Sequence, residues 1–432
     1  MQTSKTKLFP LIIIGILFFV FGFVTWLNGT LIPFLKLACE LETDIQAFFV
    51  TFAFYMAYFF LALPSSVILK KTGFKNGMAL GLLIMAIGSL IFLPAASSRN
   101  FGLFLTGLFV QGMGLALLQT AVNPYVSILG PIETAARRIS IMGICNKIAG
   151  MASPVIVGAL VLKNASSIEE QANAATDPAV KAGLLDELAG RVIIPYIIIA
   201  IVLVLLAIMI KRASLPEVDV DAEEIQSPGT ATKSSPFEYR HLMLGVLCMF
   251  LYVGVEVMAG DAIGAYGREL GIPLDKTKFF TTFTLASMLA GYVIGIIAMP
   301  KYISQEKALA VSAVLGVVFS FCVYFTSGYT AITFIALLGL ANALMWPAIF
   351  PLAIRGLGRF TKTGSGLLIM GIAGGAVIPL LYTTLKDKGI LENAQAFLLC
   401  MVPAYIYILY YAVKGHKPSA SSVPLVAVPG TV

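Results

Sequence analysis

Hydrophobic side chains occur along this sequence in long blocks that are separated by short polar segments. Twelve blocks are long enough to cross a bilayer, because a helix needs about 20 apolar residues to span the hydrocarbon core. We therefore predict an all-α membrane protein with twelve spanning helices, numbered here as spans 1 to 12. Their approximate ranges are 8–35, 44–69, 76–96, 101–129, 139–162, 191–211, 241–267, 278–300, 306–326, 329–354, 364–385 and 393–414.

Basic residues are distributed unevenly among the loops that join the spans. With both termini placed in the cytoplasm, the inner loops hold 18 of the 29 lysines and arginines, and the outer loops hold ten. Cytoplasmic loops of membrane proteins carry such an excess of positive charge. The bias predicts a multi-pass protein with both termini in the cytoplasm. It also accounts for the net charge of +7 without a nucleic-acid partner.

A polar segment at the midpoint divides the spans into two sets of six. Residues 212–239 are predicted to be a cytoplasmic linker between bundles at 1–211 and 240–414, and residues 415–432 a disordered tail. The halves match weakly, because "CNKIAGMASPVIVG" (145–158) pairs with "MGIAGGAVIPLLYT" (370–383) and "LLQTAVNPYVSILG" (117–130) pairs with "LMWPAIFPLAIRGL" (344–357). Two pseudo-symmetric six-helix bundles are the architecture of a major facilitator transporter.

Three ionisable side chains lie inside the predicted spans, namely Lys147 in span 5 and Glu256 and Asp261 in span 7. A charge at the middle of a bilayer costs about 2.5–3.5 kcal/mol on insertion scales, so such residues normally face water or one another. We predict that they approach a central chamber; the alternative is a structural ion pair between two helices. The two acids lie about 140° apart on an ideal helix. Glycines nearby could interrupt span 7, and we expect Asp261 to be the chamber acid.

Two pairs of residues are spaced four apart on predicted spans and share a helix face. Gln119 and Asn123 form such a pair on span 4, and Asn342 and Trp346 on span 10. Amides donate and accept hydrogen bonds at once, as sugar hydroxyls do, and an indole ring packs on the apolar face of a pyranose. We predict sugar contacts from all four; the alternative is hydrogen bonding or packing between helices.

Three further residues complete the predicted binding site. Asn28 interrupts the apolar helix of span 1, Trp26 lies two residues before it, and Asn146 precedes Lys147 in span 5. The spans hold no nucleophile–base pair, and the five cysteines and two histidines have no metal-ligand spacing. We therefore predict a transporter rather than an enzyme, with no catalytic residues, metal or cofactor.

Five short motifs carry a family resemblance: "WLNGTLIPFLK", "LLQTAVNPYVSILGP", "CNKIAG", "YVGVEV" and "WPAIF". Together they resemble the fucose:proton symporter family of the major facilitator superfamily, and the likeness extends over nearly all of residues 10–412. It is greater for the glucose/galactose transporter branch, which includes N-acetylglucosamine carriers. The resemblance implies a monomeric carrier of a bacterial-type inner membrane that moves a monosaccharide inward with a cation by alternating access. It also implies a sugar contact at Asn146, which matches the span-5 asparagine of the family motif.

Two positions depart from the family pattern. Fucose carriers have an aspartate after the span-1 asparagine and a glutamate in the span-4 motif, where this sequence has Gly29 and Gln119. The proton-coupling role of those acids therefore does not transfer. We hypothesise that Asp261, which matches Gly29 in the second half, supplies the acid. Lys147 would pair with a carboxylate in a latch that sugar or a cation opens.

The coupling cation and the substrate stay open at this stage. The cation could be a proton or sodium, and without coupling the protein would be a sugar uniporter. The substrate could be glucose or galactose, N-acetylglucosamine, fucose, or a non-sugar solute such as an organic anion that binds Lys147. A transporter-like sugar sensor is a further alternative, although the short tails offer no output domain.

Overall fold

The computed structural model describes residues 8–128, 135–213, 234–299, 302–357 and 360–417. Within these ranges, twelve helical segments are long and apolar enough to cross a membrane, and each coincides with a predicted span. The predicted linker lies largely outside the described residues, as does the predicted tail. The division into domains at 212–239 therefore stays a prediction.

Eighteen α-helices build the described part of the chain. They are α1 (Leu8–Trp26), α2 (Asn28–Ala38), α3 (Asp44–Ser97), α4 (Phe101–Ile128), α5 (Ala135–Val161), α6 (Ala165–Ala174), α7 (Pro178–Gly190), α8 (Ile193–Arg212), α9 (Arg240–Gly260), α10 (Ala262–Glu269), α11 (Leu274–Thr277), α12 (Phe280–Ala298), α13 (Gln305–Phe325), α14 (Gly328–Asn342), α15 (Met345–Ile354), α16 (Thr361–Met370), α17 (Gly374–Asp387) and α18 (Asn393–Tyr410).

Several spans are interrupted at mid-membrane, and these interruptions determine where polar groups point. Span 1 breaks at Leu27 between α1 and α2, and span 7 breaks at Asp261 between α9 and α10. Span 10 breaks between Asn342 and Met345. Span 4, which corresponds to span 10 in the sequence repeat, continues through Gln119 and Asn123 as one helix. The phase of the side chains is therefore continuous in span 4 and shifted in span 10.

Helices of the two halves pack against each other at several places. We call α1–α8 the N-terminal half and α9–α18 the C-terminal half. In the contact between them, α5 packs on α12, α3 packs on α16 and α17, and α2 packs on α10. The centre of the molecule is therefore lined by broken helices from both halves.

The two ends of the molecule differ in their connections. One end, called the loop face here, carries residues 39–43, 98–100, 162–192, 270–279 and 388–392. The opposite end carries the first and last described residues, Leu8 and Lys417. The loop at 163–190 contains two helices, α6 and α7. Asp177 caps the start of α7 and Pro178 occupies its first turn.

Candidate functional site

A cavity of about 110 Å³ lies between the halves at mid-membrane, and we call it the chamber. Water occupies about 30 Å³ per molecule in the liquid, so the chamber holds only a few waters in this conformation. Both halves contribute to its lining. The lining residues are Phe18, Phe21, Thr25, Trp26, Tyr55, Tyr58, Gln119, Asn123, Ile139, Gly143, Asn146, Lys147, Tyr252, Val253, Glu256, Tyr292, Trp346, Pro347 and Ile372.

An ion pair crosses the chamber from one half to the other. Lys147 Nζ of α5 lies 2.9 Å from Glu256 Oε1 of α9. Both residues are buried, with 5% and 8% of their surface exposed. The ammonium also lies 4.3 Å from the centroid of the Trp26 ring, within the range of a cation–π contact. The predicted pairing of Lys147 with a carboxylate is therefore present, and its partner is Glu256.

Three amide side chains line the N-terminal wall of the chamber. Gln119 Nε2 donates to the Tyr58 hydroxyl at 2.9 Å, and Asn146 Oδ1 accepts from Trp26 Nε1 at 3.4 Å. Asn123 lies one turn after Gln119 on the same helix and also faces the chamber. Each amide retains further donor or acceptor capacity, which suits a solute that carries several hydroxyl groups.

The opposite wall presents an aromatic surface. Trp346 stacks on Phe350 with ring centroids 6.2 Å apart and an interplanar angle of 16°, and Tyr252 lies 6.4 Å from the same indole. The indole is half-buried and borders the chamber. Amides thus face an aromatic platform across the space, an arrangement in which a pyranose could bond through its edges and pack through its face.

Asp261 lies outside the lining of the chamber, at the break of span 7. Only 1% of its surface is exposed, and neither carboxylate oxygen has a hydrogen-bond partner among the described residues. The Gly29 backbone N–H lies near the carboxylate without forming a well-aligned bond. The structure thus places Glu256, and not Asp261, in the chamber. The helix α9 is continuous from Glu256 to Gly260, and the Asp261 backbone N–H still donates to the Val257 carbonyl at 2.7 Å, so the two acids keep their separation of about 140° around the helix. A carboxylate without a partner is costly to bury in its charged form.

Two threonines of α12 stabilise the break. Thr281 Oγ1 donates to the Gly260 carbonyl at 2.8 Å, and Thr284 Oγ1 donates to the Ala259 carbonyl at 2.7 Å. These carbonyls are among the last of α9, where a helix end leaves acceptors without an intrahelical partner. The threonines therefore hold span 7 open at the position of Asp261.

Gly29 and Asp261 meet across the contact between the halves. A Cβ atom on Gly29 would lie 3.3 Å from Asp261 Oδ1 and 2.5 Å from Thr281 Oγ1, so a side chain at position 29 would need the volume that Asp261 and Thr281 occupy. The sequence repeat sets these two positions opposite each other, and the structure brings them into contact. One acid can therefore occupy this space from either half.

Comparison with known proteins decides the family of this chain. The family model of the Major Facilitator Superfamily matches residues 14–380. The chain belongs to the major facilitator superfamily. A glucose/galactose transporter of Brucella abortus is 36% identical over 419 residues, which cover 96% of each protein. The L-fucose-proton symporter of Escherichia coli is 28% identical over 410 residues, which cover 94% of this chain and 93% of that protein.

A solved structure agrees with this assignment. The crystal structure of the Escherichia coli fucose:proton symporter superposes with a TM-score of 0.73 at 26% identity, covering 94% of this facilitator and 98% of that chain. The predicted all-α fold of a twelve-span facilitator is confirmed. The relatives are transporters, which agrees with the prediction that the chain is not an enzyme.

Most of the predicted sugar-binding residues of this facilitator meet at the chamber, and two do not. Trp26, Gln119, Asn123, Asn146 and Trp346 line it. Asn342 is fully buried and accepts a hydrogen bond from the Tyr405 hydroxyl at 2.8 Å. Asn28 is buried, and its amide atoms have no partner within the described part of the chain. A sugar contact by either residue stays a prediction without support from this geometry.

Four tyrosines line the chamber and were not predicted from the sequence. They are Tyr55, Tyr58, Tyr252 and Tyr292. Tyr55 and Tyr58 are spaced three apart on α3, with ring centroids 6.3 Å apart, so helical spacing could have indicated a shared face. Tyrosine is common at membrane interfaces, which made their depth in the bilayer difficult to read from composition.

A charged cluster on the loop face also joins the halves of this facilitator. Lys386 of α17 contacts Asp44 of α3 and lies 2.6 Å from Glu269 of α10. Asp387 Oδ2 accepts a hydrogen bond from the Ile45 backbone N–H at 2.9 Å. The residues from the two halves lie far apart in the sequence, and their convergence depends on the packing of the two halves.

Proposed function

We propose that this chain is a secondary active transporter that imports a monosaccharide of the glucose/galactose type, coupled to inward movement of a cation. The composition of the chamber carries this proposal, because amide groups face an aromatic platform between two halves of a facilitator. The glucose/galactose transporter of Brucella abortus, similar along 96% of its length, supports the same solute class. Neutral groups that both donate and accept hydrogen bonds favour a sugar over an organic anion, since Glu256 already neutralises Lys147.

The charged groups would have separate roles in the transport cycle. The Lys147–Glu256 pair links the halves at the centre, so it must open when the halves move apart and the chamber widens for sugar. Asp261 would be the coupling acid, because its carboxylate is buried without a partner among the described residues and therefore needs a proton or small cation in this conformation. We favour the proton, because the L-fucose-proton symporter of Escherichia coli is similar over 94% of this chain.

The proposed arrangement in the cell follows from the sequence. We propose that the loop face is extracytoplasmic and that both termini lie on the cytoplasmic side of a bacterial inner membrane, because basic residues are in excess on that side. Since the chamber forms within one chain, a monomer would suffice for transport.

Uptake into proteoliposomes tests this function directly. The parent is expected to accumulate labelled glucose or galactose under an imposed proton gradient, with N-acetylglucosamine, fucose and a sugar acid tested as competitors, and sodium tested in place of the proton. If the parent moves none of these sugars, the sugar proposal is wrong. If it equilibrates sugar and never concentrates it, the protein is a uniporter.

Two variants test the coupling acid. Asp261→Asn should retain counterflow, in which labelled sugar exchanges for unlabelled sugar, and should lose gradient-driven accumulation. Asp261→Glu keeps a carboxyl at the break of span 7 and should retain accumulation. Accumulation by Asp261→Asn equal to that of the parent would exclude Asp261 as the coupling acid.

A further inference from the structure

Trp26 is a residue of the N-terminal half that inserts into the C-terminal half. It is the last residue of α1, and 2% of its surface is exposed. Its indole packs in a small buried cluster, separate from the main core, with Leu285, Met288, Tyr292 and Ala343 of α12 and the α14–α15 break. Any separation of the halves must therefore withdraw the indole from this cluster.

Two glycines, one from each half, hold the indole from opposite sides. A Cβ atom on Gly150 of α5 would lie 2.5 Å from Trp26 Cδ1, and a Cβ atom on Gly260 of α9 would lie 2.3 Å from Trp26 Cζ3. The rigid ring leaves no room for a methyl group on either side, and close-packed interiors transmit such displacements. Gly260 immediately precedes Asp261, so movement of the span-7 break must displace the indole.

The indole also contacts the central ion pair. Lys147 Nζ lies 4.3 Å from the ring centroid, and Trp26 Nε1 donates to Asn146 Oδ1 at 3.4 Å. One side chain thus touches the residue before Asp261 and the cation that pairs with Glu256. Within the described part of the chain, no hydrogen bond or ion pair connects Asp261 to that pair directly.

We propose that Trp26 is the positioning residue that couples Asp261 to the Lys147–Glu256 pair. Loading of Asp261 alters the span-7 break, the break moves the indole, and the indole shifts Lys147 relative to Glu256. Sugar that opens the pair would act on Asp261 through the same contacts in reverse, as linkage between two sites requires. This inference rests on the proposed function, because it assigns the route by which cation and sugar movements are linked.

Trp26→Phe tests the route with Trp346→Phe as the matched control, since these are the two tryptophans of the chain. Trp26 lines the chamber, so Trp26→Phe should lower counterflow moderately. It should lower gradient-driven accumulation and the number of protons moved per sugar much more, on the order of ten-fold, within the usual range of site-to-site coupling. Trp346→Phe should raise the sugar concentration needed for half-maximal counterflow while the number of protons moved per sugar stays unchanged. A merely structural role for Trp26 would lower both transport modes to the same extent.

A compensating pair of substitutions tests the steric contact. Gly260→Ala should slow counterflow, because the added methyl group presses on the indole. Gly260→Ala/Trp26→Phe should return counterflow to the level of Trp26→Phe alone, because the smaller ring leaves room. Thermal unfolding shows whether both single variants are folded. If they are and the double variant does not recover counterflow, the proposed contact is wrong.

The outcomes separate the two proposals. If the parent accumulates sugar and Trp26→Phe accumulates it equally well, the coupling role is wrong and the transport function stands. If the parent moves no sugar, both proposals fall. If Trp26→Phe alone loses accumulation and keeps most of its exchange, the coupling role is supported.

Discussion

The Lys147–Glu256 pair illustrates how a costly residue is accommodated at the middle of a membrane protein. Each ion on its own would lose hydration on burial, and a buried pair compensates for this only when its geometry is good. Here the ammonium has a carboxylate at 2.9 Å and an indole face at 4.3 Å. We interpret the ion pair as one that the proposed transport cycle requires to separate, and not as a contact that serves stability alone.

The pair should behave non-additively on substitution. Lys147→Met leaves the Glu256 carboxylate without its partner, and breaking a buried pair costs about 3–5 kcal/mol when no water replaces the partner. Lys147→Met/Glu256→Gln removes both charges and should cost less than Lys147→Met alone. Thermal unfolding of the purified proteins in detergent measures this order. A double variant that is less stable than either single variant would contradict it.

At the same scale, helix phase explains which binding residues could be predicted. Gln119 and Asn123 are four apart within the unbroken helix α4, and both line the chamber. Asn342 and Trp346 are also four apart, but α14 ends at Asn342 and α15 begins only at Met345. The spacing of four residues therefore predicted the shared face correctly for Gln119 and Asn123. For Asn342 and Trp346 it did not, because only Trp346 lines the chamber. No sequence signal located the break of span 10 between them.

Among the helical elements, the break of span 7 depends on side chains from a neighbouring helix. Thr281 and Thr284 of α12 donate to the carbonyls of Gly260 and Ala259, so α9 can end there without buried acceptors that lack a partner. Glycines in span 7 indicated that an interruption was possible. The threonines that stabilise it lie more than 20 residues away in the sequence, and only packing brings them to the break.

Removing one of these hydroxyl groups should destabilise the protein. Thr284→Val keeps the shape of the side chain and leaves the Ala259 carbonyl without its donor, which should cost about 1–3 kcal/mol for a buried acceptor. Thr333→Val is the matched control, because the exposed Thr333 hydroxyl bonds to the Tyr329 carbonyl within its own helix and that carbonyl lies in the regular ladder of α14.

Denaturant or thermal unfolding of both variants beside the parent gives the comparison. Equal losses for Thr284→Val and Thr333→Val would show that the α12 hydroxyl groups do not support the break.

For the whole molecule, the described charged contacts between the halves other than the chamber pair lie on the loop face. Lys386 of the C-terminal half contacts Asp44 of the N-terminal half, and Arg268 lies 2.6 Å from Glu169. In addition, Lys278 Nζ donates to the Leu162 carbonyl at 2.9 Å. These contacts hold the loop face closed in this conformation. Alternating access would require them to separate in the opposite state.

Loss of Lys386 should make the loop face open more readily. Cys39 reports on this, because burial raises the pKa of its thiol to about 11 and the thiolate is the reactive form. Its reaction with a maleimide should therefore be slow near neutral pH and should accelerate roughly ten-fold per pH unit below that pKa. At one fixed pH, Lys386→Met should react several-fold faster than the parent, as water reaches the thiol.

Lys388→Met is the control for this experiment, because Lys388 is exposed two residues further along the chain. It should react at the parental rate. Mass spectrometry of the Cys39 peptide distinguishes this thiol from the other four cysteines. The same rate in Lys386→Met as in the parent would show that the charged cluster does not keep the loop face closed.

The architecture was more accessible from the sequence than the details of its centre. All twelve apolar blocks became spanning helices, because length and hydrophobicity alone decide whether a helix crosses a bilayer. The position of Lys147 at the chamber was also predicted from the sequence, because a charged side chain inside a spanning helix needs water or a partner. The choice between Glu256 and Asp261 as that partner depended on which face of the continuous helix α9 packs towards the chamber, which single-residue properties do not encode.

The contact between Gly29 and Asp261 has a consequence for reading relatives of this protein. Near a pseudo-two-fold axis, equivalent positions of the two repeats become spatial neighbours, so a functional carboxyl can pass from one repeat to the other while staying at the same place in space. An alignment that is inspected column by column would record the loss of an acid in one repeat and an unrelated gain in the other. If acids are compared by their position in space near the axis, a carboxyl in the first repeat and one in the second repeat are recognised as the same functional group.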